Sequence, residues 1–441
     1  MHLAKRILKS PAYLLLLAAV FHISLTTTVL IAGKTHVLPN TIDTNGTAVS
    51  ITPDGTGFLK DAIALADYLR QGDVRAWINQ PYSFHAKLYA VSFAVFGQLF
   101  GGQNVLTAEP LNLLYYLLML WLVYKLTDQI FNARAGFFAA FIVGVWPSLV
   151  LHTTQMVKES LFICEMLALI LILTKLIQRT YSDRKWLRDV ACGGLFSILL
   201  WKTRSDLAII VLSAIVLAGF LILVPHVLEK RILVPNAIGI TLILTIGLVG
   251  MTSLPVYRIA DHPERGFRHP SQQGHELKLW QLPQRIGELR DGYIKEYRQS
   301  GSNVGTNVRI TNFIDLVSSL PRAIATGLFA PFPWMWFENG TLVGPIARRI
   351  SGFETVFMYA IEILAAFSIW RMRRSLSVWL LVLIVMLGVV SLGLVVVNVG
   401  ALYRQRYFFL ILLIVLAAGQ IAHWFPAKRL SEHNLPPNKI S

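Results

Sequence analysis

Apolar stretches of roughly twenty residues recur along this chain, each about the length a helix needs to cross a bilayer. In hydrocarbon every backbone N–H and C=O must be satisfied internally, so such a chain folds as packed helices. Hydropathy marks ten runs, at 12–32, 108–126, 135–151, 160–177, 189–201, 206–225, 232–252, 353–370, 376–397 and 407–425. The first follows Lys5, Arg6 and Lys9. It is too long for the apolar core of a signal peptide, so it is read as a retained span. Leu88 to Phe100 is apolar but too short to cross. It ends in the glycine-rich "FGQLFGGQN" and is expected to lie on the membrane or re-enter it. The fold class expected is an all-α polytopic membrane protein with about ten transmembrane helices.

Composition agrees. Of 441 residues only 15% are charged, against about 25% in a soluble domain. The net charge of +16 reads as topology signal and attraction to anionic lipid. No basic tail with interleaved aromatics occurs, so nucleic acid is excluded as a partner. Both cysteines, Cys164 and Cys192, lie in apolar segments, which argues against a disulfide framework or a cysteine zinc site. No phosphate-binding Walker loop, HExxH or GxSxG motif is present.

Orientation follows from the basic clusters. Lys5/Arg6/Lys9, Lys175 to Arg188, Lys230/Arg231, Arg371/Arg373/Arg374 and Lys428/Arg429 fall on one side if the N-terminus is cytoplasmic. Ten spans return the C-terminus to that side. The expected organisation is a transmembrane core over 1–252 that includes an outer loop at 33–107. A large outer loop at 253–352, C-terminal spans at 353–425 and a cytoplasmic tail at 426–441 complete it. In the first loop Phe58, Ala62, Leu65, Ala66 and Leu69 recur at helical spacing, which predicts an amphipathic helix suited to the membrane interface.

Several charged residues fall where this topology puts the outer face. Asp54, in "PDGTGF", precedes the amphipathic helix. A carboxylate there can act as a general base, or simply cap the helix. Lys158 and Glu159, in "HTTQMVKESLF", open the fourth span. Ionisable groups in such places line sites or snorkel into water. Lys202 and Arg204 in "WKTRSD" suit a phosphate group. Arg404 and Arg406 in "GALYRQRYFF" stand where outer loops avoid positive charge, which points to an anionic ligand or a headgroup anchor. His85 and Lys87 in "PYSFHAKLYAVSFAVFG" form a further polar pair in an apolar setting.

The order of these features resembles the GT-C superfamily of integral-membrane glycosyltransferases, in its protein-mannosyltransferase and aminoarabinose-transferase branch. An N-terminal span, an outer Asp followed by an aromatic (Asp54 and Phe58), a helix and "PYSFHAKLYAVSFAVFGQLFG" come in the family's order. "NARAGFFAAFIVGVWPSLV", "VKESLF", "TRSDLAIIVLSAIVLAG" and "YRQRYFFLILLIVLAAG" are similar to its later motifs. Lys87-Leu88-Tyr89 stands where the family often has paired prolines, and Phe58 where many members have Tyr. The resemblance implies an extracytoplasmic site in a membrane expected to be the bacterial inner membrane. It implies a polyprenyl-phosphate-linked sugar donor, an acceptor that is a glycan, lipid or protein, and transfer with inversion. Asp54 would be the general base, and Glu159 would orient the acceptor or a divalent cation. Lys158, Lys202, Arg204, Arg404, Arg406, His85 and Lys87 would bind the donor and its phosphate. No certain cofactor follows, and metal ligands stay unassigned. Two other readings are kept beside this one: a polymerase or ligase of the O-antigen type, and a polysaccharide or lipid transporter.

Overall fold

A computed structural model describes residues 11–37, 42–47, 55–178, 184–204, 208–229, 234–253, 279–298, 300–337 and 345–425. Among these the regular structure is helical, and an isolated bridge joins Asn303 and Asn398. The helices are α1 (Pro11–Lys34), α2 (Gly55–Arg70), α3 (Val74–Asn79), α4 (Phe84–Phe96), α5 (Val105–Ile130) and α6 (Ala133–Gly144). Next come α7 (Pro147–Thr153), α8 (Lys158–Gln178), α9 (Lys185–Thr203), α10 (Ala208–Glu229), α11 (Val234–Ser253) and α12 (Leu282–Glu296). The last are α13 (Phe313–Phe329), α14 (Pro345–Arg371), α15 (Leu376–Val395), α16 (Val399–Gln405) and α17 (Tyr407–Trp424).

Each of the ten marked runs overlaps a helix or a bent pair of helices, and over the described residues their ends agree to within two residues or the helix extends further. Six described helices, α1, α5, α8, α14, α15 and α17, are long and apolar enough to cross a membrane, or seven if a bent pair counts as one span. The chain is an integral membrane protein; ten crossings remain an expectation. The run at 135–151 is the bent pair: α6 and α7 meet at 73°. Pro147 is the cause. It opens α7, has no N–H to donate backwards, and holds Trp146 extended (φ −69, ψ 110).

Among the described residues one large core cluster runs through the spans, and two smaller ones lie beside it. α8 sits at its centre, with nearly every residue from Ser160 to Ile177 buried. It packs on α5 and α9, while α17 packs on α14 and α6. α9 and α11 approach closely because Gly193 and Gly194 leave room for Ile243 and Ile246. The first span is pinned by polar contacts. His22 Nδ1 lies 2.8 Å from Glu109 Oε1, Thr26 donates to Glu109 Oε2 at 2.8 Å, and His22 Nε2 lies 3.1 Å from Thr153 Oγ1. All four residues are buried, as groups at membrane depth must be when they pair with one another.

The amphipathic helix forms as α2, but its apolar face is not turned to lipid. Ala62, Leu65 and Ala66 are fully buried against Tyr89, Ala90 and Phe93 of α4. Asp67 and Arg70 pair on its exposed side at 2.8 Å, and Arg70 donates to Phe93 O at 2.9 Å. The two short helices thus pack together as a small layer beside α5. Asp54, one residue before α2, lies outside the described residues.

Candidate active site

The stretch between α7 and α8 is the most enclosed loop of the site. Thr154, Gln155, Met156 and Val157 are all buried. Such a loop must find partners for its backbone. Asn112 of α5 donates to Thr154 O at 2.8 Å, and Tyr89 of α4 donates to Asn112 Oδ1 at 2.5 Å. The small layer therefore holds the loop that presents Glu159 in the first turn of α8.

Glu159 is the hub. Its Oε1 faces Arg204 Nη1 at 3.4 Å, and its Oε2 lies 3.9 Å from His152 Nε2. Arg404 and Lys158 are its further charge neighbours. The side chain is 12% exposed and that of Arg204 6%, so water screens the pair weakly. Arg204 ends α9 as its C-cap and also lies over the Phe162 ring at 5.7 Å. His152, in the last turn of α7, sets its ring 5.3 Å from Tyr407. Four elements (α7, α8, α9 and α16) thus bring three cations, one carboxylate and one imidazole to one end of the bundle. A second carboxylate braces this end. Glu354 of α14 accepts from Ser148 N at 2.6 Å and from the Tyr403 hydroxyl.

The other predicted residues fall around this centre. Lys87 donates to Ile78 O at 2.6 Å, and Lys202 is exposed. Partial burial and the neighbouring Lys202 charge together lower the Lys87 pKa below the usual lysine value. His85 is buried with its ring edge-on to Phe58, 4.3 Å between centroids. It therefore meets the first turn of α2, the helix that Asp54 precedes. Arg406 does not join the Glu159 group. It is 3% exposed, and its Nη1 donates to Leu328 O at 3.0 Å and Gly327 O at 3.4 Å.

His152 and Glu354 were not singled out from sequence. His152 opens the same "HTTQMVKES" stretch as Glu159, seven residues ahead, which was the available signal. For Glu354 none existed, since its partners lie far along the chain. Among the described residues no three His, Cys, Asp or Glu side chains converge as a metal site.

Against known families, residues 85–249 match the model for dolichyl-phosphate-mannose-protein mannosyltransferase. This bears out the GT-C resemblance. His85, Lys87, Lys158, Glu159, Lys202 and Arg204 fall inside the matched segment, while Asp54, Arg404 and Arg406 fall outside it. Among solved structures the chain is similar to the archaeal oligosaccharyltransferase AglB from Archaeoglobus fulgidus, solved in complex with an inhibitory peptide and a dolichol-phosphate. The identity is 12% and the TM-score 0.45, over 94% of this chain and 50% of that one. The chain thus spans about half the length of that structure. No curated protein matches it.

Proposed function

We propose that the chain is a membrane glycosyltransferase that moves a sugar from a polyprenyl-phosphate donor to an acceptor on the extracytoplasmic face. One observation carries this reading. Arg204, Arg404 and Lys158 converge on Glu159, at the end of a helix bundle where a lipid-borne phosphate would lie. Preorganised positive charge is what the departing phosphate needs, because that group gains charge as the bond breaks. Glu159 holds the cations in place before the donor arrives, and His152 backs it.

The reaction balances as a single displacement. The acceptor oxygen forms a bond to the anomeric carbon as the bond from that carbon to the phosphate oxygen breaks. Asp54 takes the hydroxyl proton, and the electron pair leaves with the lipid phosphate. Inversion follows from attack opposite the leaving group. Lys87 and Lys202, close enough to feel each other's charge, extend the positive surface toward α2. The acceptor would be a glycan, lipid or protein, and the membrane the bacterial plasma membrane, with both termini cytoplasmic.

The test is transfer by the purified protein in detergent, with a panel of labelled polyprenyl-phosphate sugars and envelope acceptors. A labelled product that needs the lipid phosphate supports the proposal. Movement of lipid-linked sugar across proteoliposomes with no covalent product overturns it in favour of a transporter.

A further inference from the structure

The segment 313–337 sits unexpectedly deep for part of an outer loop. From Ala323 to Phe337 it carries no charged residue, yet it is too short to cross a bilayer twice. The charged residues of α13, Asp315 and Arg322, lie in its first ten positions, and the Arg322 guanidinium reaches back to Gly305. Asn312 caps the helix by accepting from Asp315 N at 2.9 Å, and Asp315 accepts from Thr311 N and Oγ1. The rest of α13 runs against the spans. A Cβ on Gly393 of α15 would meet Ala323, and one on Gly327 would collide with the Val389 carbonyl. Moving forward along α13 therefore means moving back along α15, into its interior.

The end of α13 confirms the depth. The Phe329 carbonyl accepts from the Tyr359 hydroxyl at 2.7 Å. Tyr359 lies eleven residues inside the candidate span that begins at Arg348, about 16 Å along a helix. Gly327 and Leu328 line a small cavity shared with Glu362 and Leu413, both within spans. The last carbonyls of a helix have no partners of their own. Here Arg406 serves Gly327 and Leu328 while Tyr359 serves Phe329. Irregular backbone persists at membrane depth only when protein satisfies it in this way. A cation at a helix C-terminus is also favoured by the helix dipole. After the turn, Trp336 packs on Gly352, nearer the start of the same span.

This segment exposes several large apolar side chains. Ile314 is 81% exposed, Val317 61% and Phe337 80%, and Phe353 and Phe357 of α14 are exposed apolar residues as well. We infer that residues 313–337 form a re-entrant element. α13 descends into one leaflet, turns after Phe329 and returns along α14, with its outer face against lipid acyl chains. Arg406 is then the positioning residue that caps the buried helix end.

Spin-label accessibility in proteoliposomes tests this. Single cysteines at Ile314, Val317, Phe329 and Phe337, in a Cys192→Ser background, are compared with Phe357 and Asp291. The expected result is greater access for oxygen than for a nickel chelate at all four, as at Phe357. Depth should increase from Ile314 through Val317 to Phe329 and decrease again at Phe337. Chelate access like that of Asp291, or a Phe329 label no deeper than Ile314, overturns the inference. In the otherwise unaltered chain, Trp334→Phe should lower the fraction of tryptophan fluorescence quenched by brominated lipid, and an unchanged fraction counts against it.

Discussion

Neutralising Glu159 and neutralising Arg204 remove the same contact, yet the surroundings make the two changes unequal. At 3.4 Å the attraction is about 5 kcal/mol at an effective dielectric of 20. Desolvation offsets much of that, and truncating one partner of a buried pair costs about 3–5 kcal/mol in general. Arg204→Gln leaves Glu159 with Lys158, Arg404 and His152 as charge neighbours. Its cost should fall at or below the bottom of that range, because the remaining carboxylate is still compensated. Glu159→Gln removes the carboxylate that Arg204, Arg404 and Lys158 face in common. Its cost should reach the upper part of the range, about 4–5 kcal/mol. An anion that enters the cluster replaces the lost charge, so polyprenyl phosphate should stabilise Glu159→Gln more than wild type. The assay is thermal unfolding in detergent followed by tryptophan fluorescence, with and without polyprenyl phosphate. The reasoning is refuted if Arg204→Gln melts at or below Glu159→Gln. It is also refuted if the lipid phosphate raises the melting temperature of Glu159→Gln no more than that of wild type.

Three further outcomes follow from the packing and the charges. Gly327→Ala should destabilise by about 1–3 kcal/mol, since its Cβ would meet the Val389 backbone carbonyl, which cannot rotate away; unfolding in detergent measures it. Glu109→Ala removes two bonds at 2.8 Å, to His22 and Thr26, and should cost about 1–3 kcal/mol by the values found for polar contacts between membrane helices. That loss should appear as increased proteolysis near α1 before the global transition. Lys202→Gln should raise the Lys87 pKa, because one of the two causes that lower it is the Lys202 charge. The pH profile of amine acetylation at Lys87 should then move to higher pH, and an unmoved profile would separate the two lysines.

Much of the helical layout could be read in advance, because apolar runs near bilayer length leave few other folds. Pro147 signals the α6–α7 break, but hydropathy averages across a proline and shows a single run. α2 was placed within a few residues, but its partner was misjudged. Periodicity shows that a face is apolar, not whether lipid or α4 covers it. In sequence Lys158 and Glu159 stand out as ionisable groups opening a span, Arg204 as a cation suited to phosphate and Arg404 as a breach of the positive-inside trend, and folding brings them together. The His22–Glu109 and Glu354–Tyr403 contacts join residues 87 and 49 positions apart, and no local pattern encodes such pairs. Arg406 looked like Arg404 in sequence. Only the descent of α13 gives it a different task.

Asp54 is the general base proposed for the transfer. Glycosyl transfer by wild type and Asp54→Asn, measured side by side from the same polyprenyl-phosphate sugar, tests that role most directly. The account predicts that Asp54→Asn binds the donor normally and loses at least about 100-fold in transfer rate, as expected on removing a general base. Equal transfer by both proteins would contradict it, leaving Asp54 as no more than a cap for α2.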